Sequence, residues 1–393
     1  MSRTGRRSGP RRPPPAGTDA RRVAIDALVR IDRDDAYANL VLGEILARSE
    51  LADRDRRYVT ELVYGTTRMR RAVDHLIAPY LLVDDPDPDV RAALRIGAYQ
   101  LAFLDTPAHA AVGATVGAVR KKVRPVVNAV LRRVAAAPLT WPDDPGIRLS
   151  YPDWVVERLV ADLGPDDALD ALTIMNEPAT VTERDDGYVQ DRASQWVAEL
   201  VDAGPGLVVA DLCAAPGGKA TALAATGARV VAADVRPGRV GLVRDNARRL
   251  GTPMAIVAAD ARRPPLRAGS LDRVLLDAPC SGLGALRRRP DARWRVTADA
   301  VDRLAALQVE LVDAAVALLA PGGVLVYSVC TLTRAESVAI DDHLAHRHPT
   351  LEPLDRPGEP WQAWGRGAML LPQAAGTDGM YVLRLRRPAS AGT

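Results

Sequence analysis

The sequence predicts two folded domains, an all-α domain followed by a doubly wound α/β domain with a largely parallel sheet. A chain of 393 residues is long for a single hydrophobic core. Helical periodicity covers residues 18–137 without a strand-period segment. From about Leu207 onward, short apolar runs alternate with helical stretches, which is typical of parallel strands joined by helices.

The helical half has short connections between amphipathic segments. Apolar residues between Val23 and Ile31 fall on one stripe of the first predicted helix, and Asp19 is placed to cap it. Acidic and proline-containing breaks separate the later helices, as expected for an all-α domain. The further helical stretches are 38–47, 53–80, 89–104, 108–121 and 125–134.

The second half alternates between strand and helix patterns. Helical stretches are predicted at 219–226, 239–250 and 298–319, and a late apolar run at 380–385 supplies a final strand. The strands that precede it are predicted at 207–212, 229–233, 254–258, 273–276 and 324–329.

Four segments are predicted along the chain. Residues 1–17 form a disordered basic arm, 18–137 the all-α domain, 138–186 a proline-marked linker with short helices, and 187–388 the α/β domain. Residues 2–22 contain seven arginines and a single acidic residue. Such an arm can bind the phosphates of a nucleic acid, and the alternative is a solvated tail without function.

Composition excludes several classes of protein. No apolar run approaches the roughly 20 residues that span a bilayer, and the N-terminus lacks the apolar core of a signal peptide. Three cysteines provide no disulfide framework, and five scattered histidines make no zinc pattern. We therefore expect a cytoplasmic protein with neither a metal nor a membrane partner.

A glycine turn follows the first predicted strand, in the segment DLCAAPGGKAT (211–221). Gly217 and Gly218 allow the backbone to approach a ligand closely at the carboxyl edge of the sheet. The Rossmann pattern G-x-G-x-x-G is absent. A phosphate loop would need glycine at Cys213 and serine or threonine at Ala220, so that pattern also fails.

Two aspartates end the next strands. Asp234 follows the second strand, where an acidic residue would bond the hydroxyls of a ribose, and Asp260 follows the third, where it would meet an adenine amino group. Either aspartate alone is an ordinary feature of α/β enzymes. Together with the glycine turn, they indicate an adenosyl ligand that carries no phosphate.

All three cysteines lie just past strand ends: Cys213 after the first, Cys280 after the fourth and Cys330 after the fifth. In the usual doubly wound order these three strands are neighbours, so Cys280 and Cys330 should flank one cleft beside the cofactor. Simple apolar packing is an adequate explanation for Cys213 but a poor one for the other two.

The loops that carry these cysteines contain further polar residues. DAPCSGLGALRRRPDARW (277–294) combines an aspartate, a Pro-Cys pair and arginines that could hold a polyanion and a flipped base. YSVCTLTRAES (327–337) places Thr331 or Thr333 to cap a helix that opens near Arg334.

This set of side chains suits methylation of carbon 5 of a cytosine. A thiolate that adds to carbon 6 makes carbon 5 nucleophilic enough to attack a sulfonium methyl group. Addition requires that N3 be protonated or hydrogen-bonded, a role for a carboxyl group such as that of Asp277. One cysteine suffices for addition, and a second can assist release.

The segments CAAPGGK, DAPCSG and YSVCTLT, in this order, resemble the motifs of the Nol/Nop/Sun family of RNA cytosine-C5 methyltransferases. The resemblance covers 187–386. It implies that Cys330 is the nucleophile, that Cys280 promotes release and that Asp277 activates the base. Lys219 joins these catalytic residues, since it stays lysine in a chain dominated by arginine. The resemblance also implies that the following residues hold S-adenosylmethionine: Cys213, Ala214, Ala215, Pro216, Gly217, Gly218, Lys219, Asp234, Asp260 and Asp277.

The N-terminal domain resembles the NusB-type RNA-binding domain, most clearly at VVNAVLRR (126–133). This pairing of domains is similar to that of the bacterial methyltransferases of 16S ribosomal RNA, which implies a monomer with ribosomal RNA as its partner. Two features depart from the family pattern. Only residues 179–186 remain of a small subdomain, and Val329 replaces the usual threonine before the nucleophile.

Two other functions remain open on the sequence. A DNA cytosine-C5 methyltransferase would use Cys280 as the nucleophile, but the helical domain and the second cysteine at Cys330 disfavour it. An RNA-binding ribosome assembly factor without turnover is the other alternative. The presence of Lys219, Asp277, Cys280 and Cys330 argues against that function.

Overall fold

The computed structural model describes residues 17–389, so the predicted basic arm lies outside the described residues except for Gly17. The chain divides into two units. The first ends at Tyr151 and also includes Arg289–Asp291, and the second contains Pro152–Arg288 and the chain from Ala292 onward. None of the helices among the described residues is long and apolar enough to cross a membrane.

The first unit is entirely helical across its described residues. The stretch predicted as one helix from 53 to 80 is divided at Met69, whose backbone leaves the helical conformation, and it ends in a 3₁₀ turn at Ala78–Tyr80. The helices are α1 (Thr18–Asp34), α2 (Ala38–Ala47), α3 (Asp53–Arg68), α4 (Arg70–Ile77), α5 (Pro88–Phe103), α6 (Ala108–Ala118), α7 (Arg124–Ala136) and α8 (Pro145–Arg148).

The predicted cap of α1 is wrong. Gly17 occupies the N-cap position with φ 77°, and no side chain caps the helix. Asp19 lies in the first turn, where its carboxylate pairs with Arg22 at the surface. Glycine reaches this left-handed conformation without steric cost, and the acid still interacts favourably with the N-terminal end of the helix dipole.

Helix α5 supplies the centre of the first core, with Leu94 and Ile96 fully buried. A Cβ atom at Gly97 would collide with Leu131 of α7, so the glycine allows these two helices to approach. The unit continues beyond the predicted boundary at 137, because Ser150 Oγ accepts hydrogen bonds from the backbone N–H groups at the start of α4.

The second unit contains the remaining elements. Its helices are α9 (Asp153–Leu163), α10 (Pro165–Ile174), α11 (Arg192–Glu199), α12 (Gly218–Ala225), α13 (Pro237–Leu250), α14 (Ala292–Arg295), α15 (Ala298–Leu318), α16 (Val338–Arg347) and α17 (Pro372–Ala375). Its strands are β1 (Val208–Asp211), β2 (Arg229–Asp234), β3 (Ala255–Ala258), β4 (Leu271–Asp277), β5 (Leu319–Val329), β6 (Glu352–Pro353), β7 (Gln362–Trp364), β8 (Gly367–Leu370) and β9 (Met380–Arg386).

These strands form one mixed sheet in the order β3-β2-β1-β4-β5-β9-β8-β7, with β6 paired to β9. Strands β1 to β5 are parallel, whereas β9 runs antiparallel to β5 and to β8. The predicted α/β architecture and the predicted adjacency of the first, fourth and fifth strands are confirmed. The short antiparallel strands β6, β7 and β8 were not predicted, since two to four residues are too few to show a strand period.

Candidate active site

The site lies where β1, β4 and β5 end side by side. Hydrogen-bonded register pairs Asp211 of β1 with Leu275 of β4, and Asp277 at the end of β4 with Ser328 of β5. The chain leaves each strand through a cysteine-bearing loop at the same edge of the sheet. The carboxyl edge of a doubly wound sheet at such a position is the usual place for a ligand crevice.

The glycine loop between β1 and α12 is tightly held. Gly217 has φ 109°, and a Cβ on it would lie 3.2 Å from the Cα of Val243, so both conformation and space require glycine. Arg239 Nη2 donates a hydrogen bond to the Ala215 carbonyl at 2.7 Å, and Asn246 Nδ2 donates one to the Pro216 carbonyl at 2.9 Å. Residues of α13 therefore fix the shape of the turn.

Gly218 has a different reason to be glycine. A Cβ at this position would lie 2.8 Å from Tyr188 Cε1 and 3.1 Å from Gln190 Nε2. The space beside Gly218 is therefore occupied by protein side chains. The prediction that both glycines serve ligand approach thus misses the packing role of Gly218.

The two acidic strand ends differ in their surroundings. Asp234 is buried, with Oδ1 accepting from the Arg236 backbone N–H at 3.0 Å. Asp260 is half-exposed, and its carboxylate binds the Arg262 guanidinium at 2.7 Å, which lowers the Asp260 pKa. The Ala259 N–H donates to the Asp234 carbonyl at 3.1 Å, so the ends of β2 and β3 lie side by side.

A partly buried ion pair lies next to the cysteines. Lys219 Nζ donates to Asp277 Oδ2 at 2.7 Å, and Ser328 Oγ donates to Asp277 Oδ1 at 2.9 Å. Burial alone would lower the pKa of Lys219, but the attraction of Asp277 outweighs it and the pKa is raised. Lys219 therefore stays protonated, and its charge also interacts with Cys330.

Two of the three cysteines meet. The Sγ atoms of Cys280 and Cys330 are 3.3 Å apart, and both residues are partly exposed. The hydrogen bond to Cys330, then burial, then the charges of Glu336 and Asp277 raise the pKa of Cys280 well above its usual value. Cys280 is therefore held as a protonated thiol.

The third cysteine stands in a different environment. Burial is the main reason that the pKa of Cys213 is raised, and the nearby charges of Asp211, Asp277 and Asp234 raise it further. The acidic surroundings disfavour a thiolate at Cys213. The structure thus brings Cys280, Cys330, Asp277 and Lys219 together. Cys213 lies instead close to the carboxylates near the glycine loop.

Asp211 is a polar residue of the site that the sequence analysis did not select. It is 1% exposed, and its Oδ1 has no hydrogen-bond partner among the described residues. Burial, together with repulsion from Asp277, raises the pKa of Asp211 to about 7. Its position as the last residue of the first strand is the feature of the sequence that could have identified Asp211 as a site residue.

Glu336 is the second residue that was missed. It is fully buried and accepts hydrogen bonds from the hydroxyl groups of Thr331 and Thr333. The predicted helix cap by either threonine is therefore wrong. Helix α16 begins only at Val338, and its N-cap residue Ser337 makes no side-chain capping bond.

The residues fit an adenosyl ligand that carries positive charge. Buried Asp211 has an unpaired oxygen, and Asp234 and Asp277 add two more carboxylates near the glycine loop. These acids would repel a pyrophosphate but suit a sulfonium, an ammonium group and ribose hydroxyls. Among the described residues, no cluster of His, Cys, Asp or Glu is arranged to hold a metal ion.

This sheet order, glycine loop and set of strand-end acids define the class of S-adenosylmethionine-dependent methyltransferases. The family model described as 16S rRNA methyltransferase RsmB/F matches residues 199–386, and that of the NusB family matches residues 18–136. The chain belongs to the RsmB/F family of RNA methyltransferases with an N-terminal NusB domain. Its Nol/Nop/Sun resemblance and its use of S-adenosylmethionine are thereby confirmed.

Relatives match over nearly the whole chain. The chain is 38% identical to the ribosomal RNA small subunit methyltransferase B of Thermus thermophilus, over 95% of this chain and 98% of that protein. It is 36% identical to MT1451 of Mycobacterium tuberculosis, over 98% of this chain and 99% of that protein. The crystal structure of PH0851 shares the fold with a TM-score of 0.79 at 22% identity, covering 94% of this chain and 99% of its own.

Proposed function

We propose that this protein transfers a methyl group to carbon 5 of a cytosine in 16S ribosomal RNA through a covalent adduct with Cys330. The observation that supports this most directly is the contact of two thiols at 3.3 Å beside the Lys219–Asp277 ion pair. One sulfur can attack carbon 6 of the base while the other donates and accepts protons. The family membership and the Thermus thermophilus relative support ribosomal RNA as the substrate.

The charges around the cysteines favour Cys330 as the nucleophile. The pKa of Lys219 is raised, and its positive charge interacts with Cys330. Cys280 has its pKa raised by the neighbouring thiol, by burial and by two carboxylates. This asymmetry disfavours the DNA-type mechanism, in which Cys280 would attack.

Asp277 would stabilise the activated base. Its carboxylate is oriented by Lys219 and by Ser328, and each oxygen keeps a lone pair for a further hydrogen bond. N3 takes a proton from the solvent and returns it after release. The Asp277 carboxylate would accept a hydrogen bond from N3–H and so favour the protonated ring that a thiolate can attack at carbon 6. The electron pair from that addition makes carbon 5 nucleophilic.

S-adenosylmethionine supplies the methyl group as an electrophile when it is bound. Asp234 would hold the ribose hydroxyls, Asp260 the adenine amino group and Asp211 the positively charged part of the ligand. The glycine loop from Cys213 to Lys219 would line its other side. We assign no further protein group to the cofactor.

Release completes the reaction. After methyl transfer, carbon 5 carries both a methyl group and a proton, and the Cys330 sulfur must leave carbon 6. As the C6–S bond breaks, Cys280 can give its proton to the Cys330 sulfur, and the thiolate left on Cys280 takes the proton from carbon 5. The C5–H electron pair then forms the C5=C6 double bond, and the C6–S pair stays on the Cys330 sulfur, which restores the aromatic ring. The 3.3 Å contact allows the first of these transfers directly.

Bisulfite mapping of 16S ribosomal RNA tests the proposal. A protected cytosine should disappear when the gene is deleted, return with the wild-type gene, and stay absent with the Cys330→Ala variant. Unchanged protection after deletion would contradict the assignment of 16S ribosomal RNA. Protection restored by Cys330→Ala would contradict the covalent role of Cys330.

A further inference from the structure

One buried carboxylate joins the two loops that carry the catalytic cysteines. Glu336 is fully buried and accepts five hydrogen bonds. Its Oε1 accepts from the Ser281 N–H at 2.8 Å and from Gln308 Nε2 at 3.2 Å. Its Oε2 accepts from the hydroxyls of Ser281 at 2.6 Å, Thr331 at 3.0 Å and Thr333 at 2.9 Å. We refer to these five residues as the Glu336 cluster.

The Glu336 cluster includes the residue that directly follows each of the two catalytic cysteines. Ser281 directly follows Cys280, and Thr331 directly follows Cys330. The two hydroxyls also lie 2.8 Å from each other. Beyond the last paired residues of β4 and β5, the Gly284 N–H donates to the Cys330 carbonyl at 3.0 Å, and Glu336 adds side-chain bonds between the same two loops.

The cluster is supported on its far side as well. Gln308 of α15 donates through Nε2 to the Pro279 carbonyl at 2.8 Å, so the Pro-Cys turn is held before and after Cys280. Tyr327 of β5 donates to Gln308 Oε1 at 3.0 Å or to the Glu336 carbonyl at 2.8 Å. Every member therefore has a fixed partner.

Stability alone is a weak reason for this arrangement. Burying a carboxylate is costly, and a set of well-packed apolar side chains would stabilise the fold at least as well. Apolar packing is not directional, however, and does not by itself specify which groups of two loops meet. A fully satisfied hydrogen-bond network does so.

We propose that Glu336 is a positioning residue that holds Cys280 against Cys330 by binding the residue that follows each cysteine. The geometric part stands on the contacts above, and the catalytic consequence rests on the proposed function. Cys280 also faces Cys330, Asp277 and Tyr327, so Glu336 is one of several groups that disfavour its thiolate.

The first test compares Glu336→Gln with a matched control. Glutamine keeps the size of the side chain but removes its charge and turns one acceptor into a donor. The control is Asp341→Asn, which removes another buried carboxylate of the same unit, one that accepts from Arg366 N at 2.7 Å and Arg366 Nε at 2.6 Å. Both variants should be compared with wild type in thiol reactivity and in steady-state kinetics.

Thiol reactivity is measured without RNA and without cofactor, as the rate of alkylation of Cys280 by iodoacetamide, followed by mass spectrometry. We expect Glu336→Gln to raise this rate near neutral pH, because removing the charge of Glu336 lowers the pKa of Cys280 and so increases its thiolate fraction. Asp341→Asn should leave the rate unchanged. Equal alkylation of wild type and Glu336→Gln would overturn the electrostatic part.

Kinetics test the positioning part. We expect Glu336→Gln to lower kcat by about tenfold or more, while KM for RNA and affinity for S-adenosylmethionine change by less than about twofold. An equal loss of kcat in Asp341→Asn would mean that any buried carboxylate matters only for folding, and would overturn the proposal. So would an unchanged kcat in Glu336→Gln.

A milder variant serves if Glu336→Gln fails to fold. Thr331→Val keeps the shape of the side chain and removes one hydroxyl from the cluster while the charge of Glu336 stays, so it should lower kcat by a smaller factor and should not raise the alkylation rate. An unchanged kcat, or a raised alkylation rate, would overturn the proposal. If the wild type leaves cytosine unmethylated, the proposed function fails, while the alkylation experiment still decides whether Glu336 controls Cys280.

Discussion

The sulfur atoms of Cys280 and Cys330 lie 3.3 Å apart, although 50 positions separate the two residues in the chain. The parallel pairing of β4 with β5 brings their carboxyl ends together, and the loops then carry both thiols to one point. Two thiols in contact can divide the work of attack and proton transfer. The charge of Lys219 interacts with Cys330, and the pKa of Cys280 is raised, which supports the proposal that Cys330 attacks while Cys280 transfers protons.

The two cysteines should separate by phenotype. Cys330→Ala can form no adduct and should show no methyl transfer, because it lacks the attacking sulfur. Cys280→Ala still has that sulfur but lacks the proton carrier, so a covalent protein–RNA complex should accumulate as a denaturant-resistant band on a gel.

The opposite pattern would reverse this assignment. A trapped band with Cys330→Ala and none with Cys280→Ala would make Cys280 the nucleophile and favour the DNA-type mechanism. Full activity in both variants, with no band from either, would exclude covalent catalysis.

Asp234→Ala should weaken the binding of S-adenosylmethionine. The buried carboxylate stands at the end of β2 where ribose hydroxyls would bond, and its loss should cost about 1–3 kcal/mol of binding free energy. Calorimetry on the folded variant measures this. Asp245→Ala, which removes an exposed carboxylate of α13, should leave the affinity unchanged. Equal affinity in both variants and wild type would remove Asp234 from the cofactor site.

The NusB domain should hold RNA mainly through phosphate contacts from arginines. Binding should then fall steeply with salt, with a slope in log K against log salt of about −0.7 to −0.9 for each phosphate contact. Replacing exposed Arg132 and Arg133 of α7 by alanine should make the slope shallower by about one to two. Filter binding of the full chain at several salt concentrations measures both. A slope that the double variant leaves unaltered would indicate a protein-docking role for this surface.

Asp211 should make stability depend on pH. Because burial raises its pKa to about 7, the folded protein favours the neutral acid, and this contribution is lost as pH rises from about 4 to about 7. Asp211→Asn stays neutral throughout. Its free energy of unfolding relative to wild type should therefore increase by about 2 kcal/mol between about pH 5.5 and about pH 8.

Urea unfolding without cofactor measures this difference. Asp202→Asn, which changes an exposed carboxylate of the same unit, should show the same difference from wild type at both pH values. A difference for Asp211→Asn that is constant with pH would show that this carboxyl is already ionised in the folded protein at the lower pH.

The carboxyl-edge site was accessible from the sequence because its parts are local. A strand end, a glycine turn and a helix start occupy adjacent positions around Gly217, so their order alone predicts a cofactor loop. The order of a doubly wound sheet is a general rule, and it was enough to predict that Cys280 and Cys330 meet.

Other features depended on contacts between distant segments. The space beside Gly218 is filled by Tyr188, and the short strands β6, β7 and β8 exist only because longer strands offer them partners. Thr331 has a local pattern that favours a helix cap, but its hydroxyl donates to Glu336, which is buried together with Ser281 from 55 positions earlier in the chain. In a buried site, hydrogen-bond partners depend on which groups lie close together in space and on the free-energy cost of leaving a charge unsatisfied. Neither can be predicted from the local sequence.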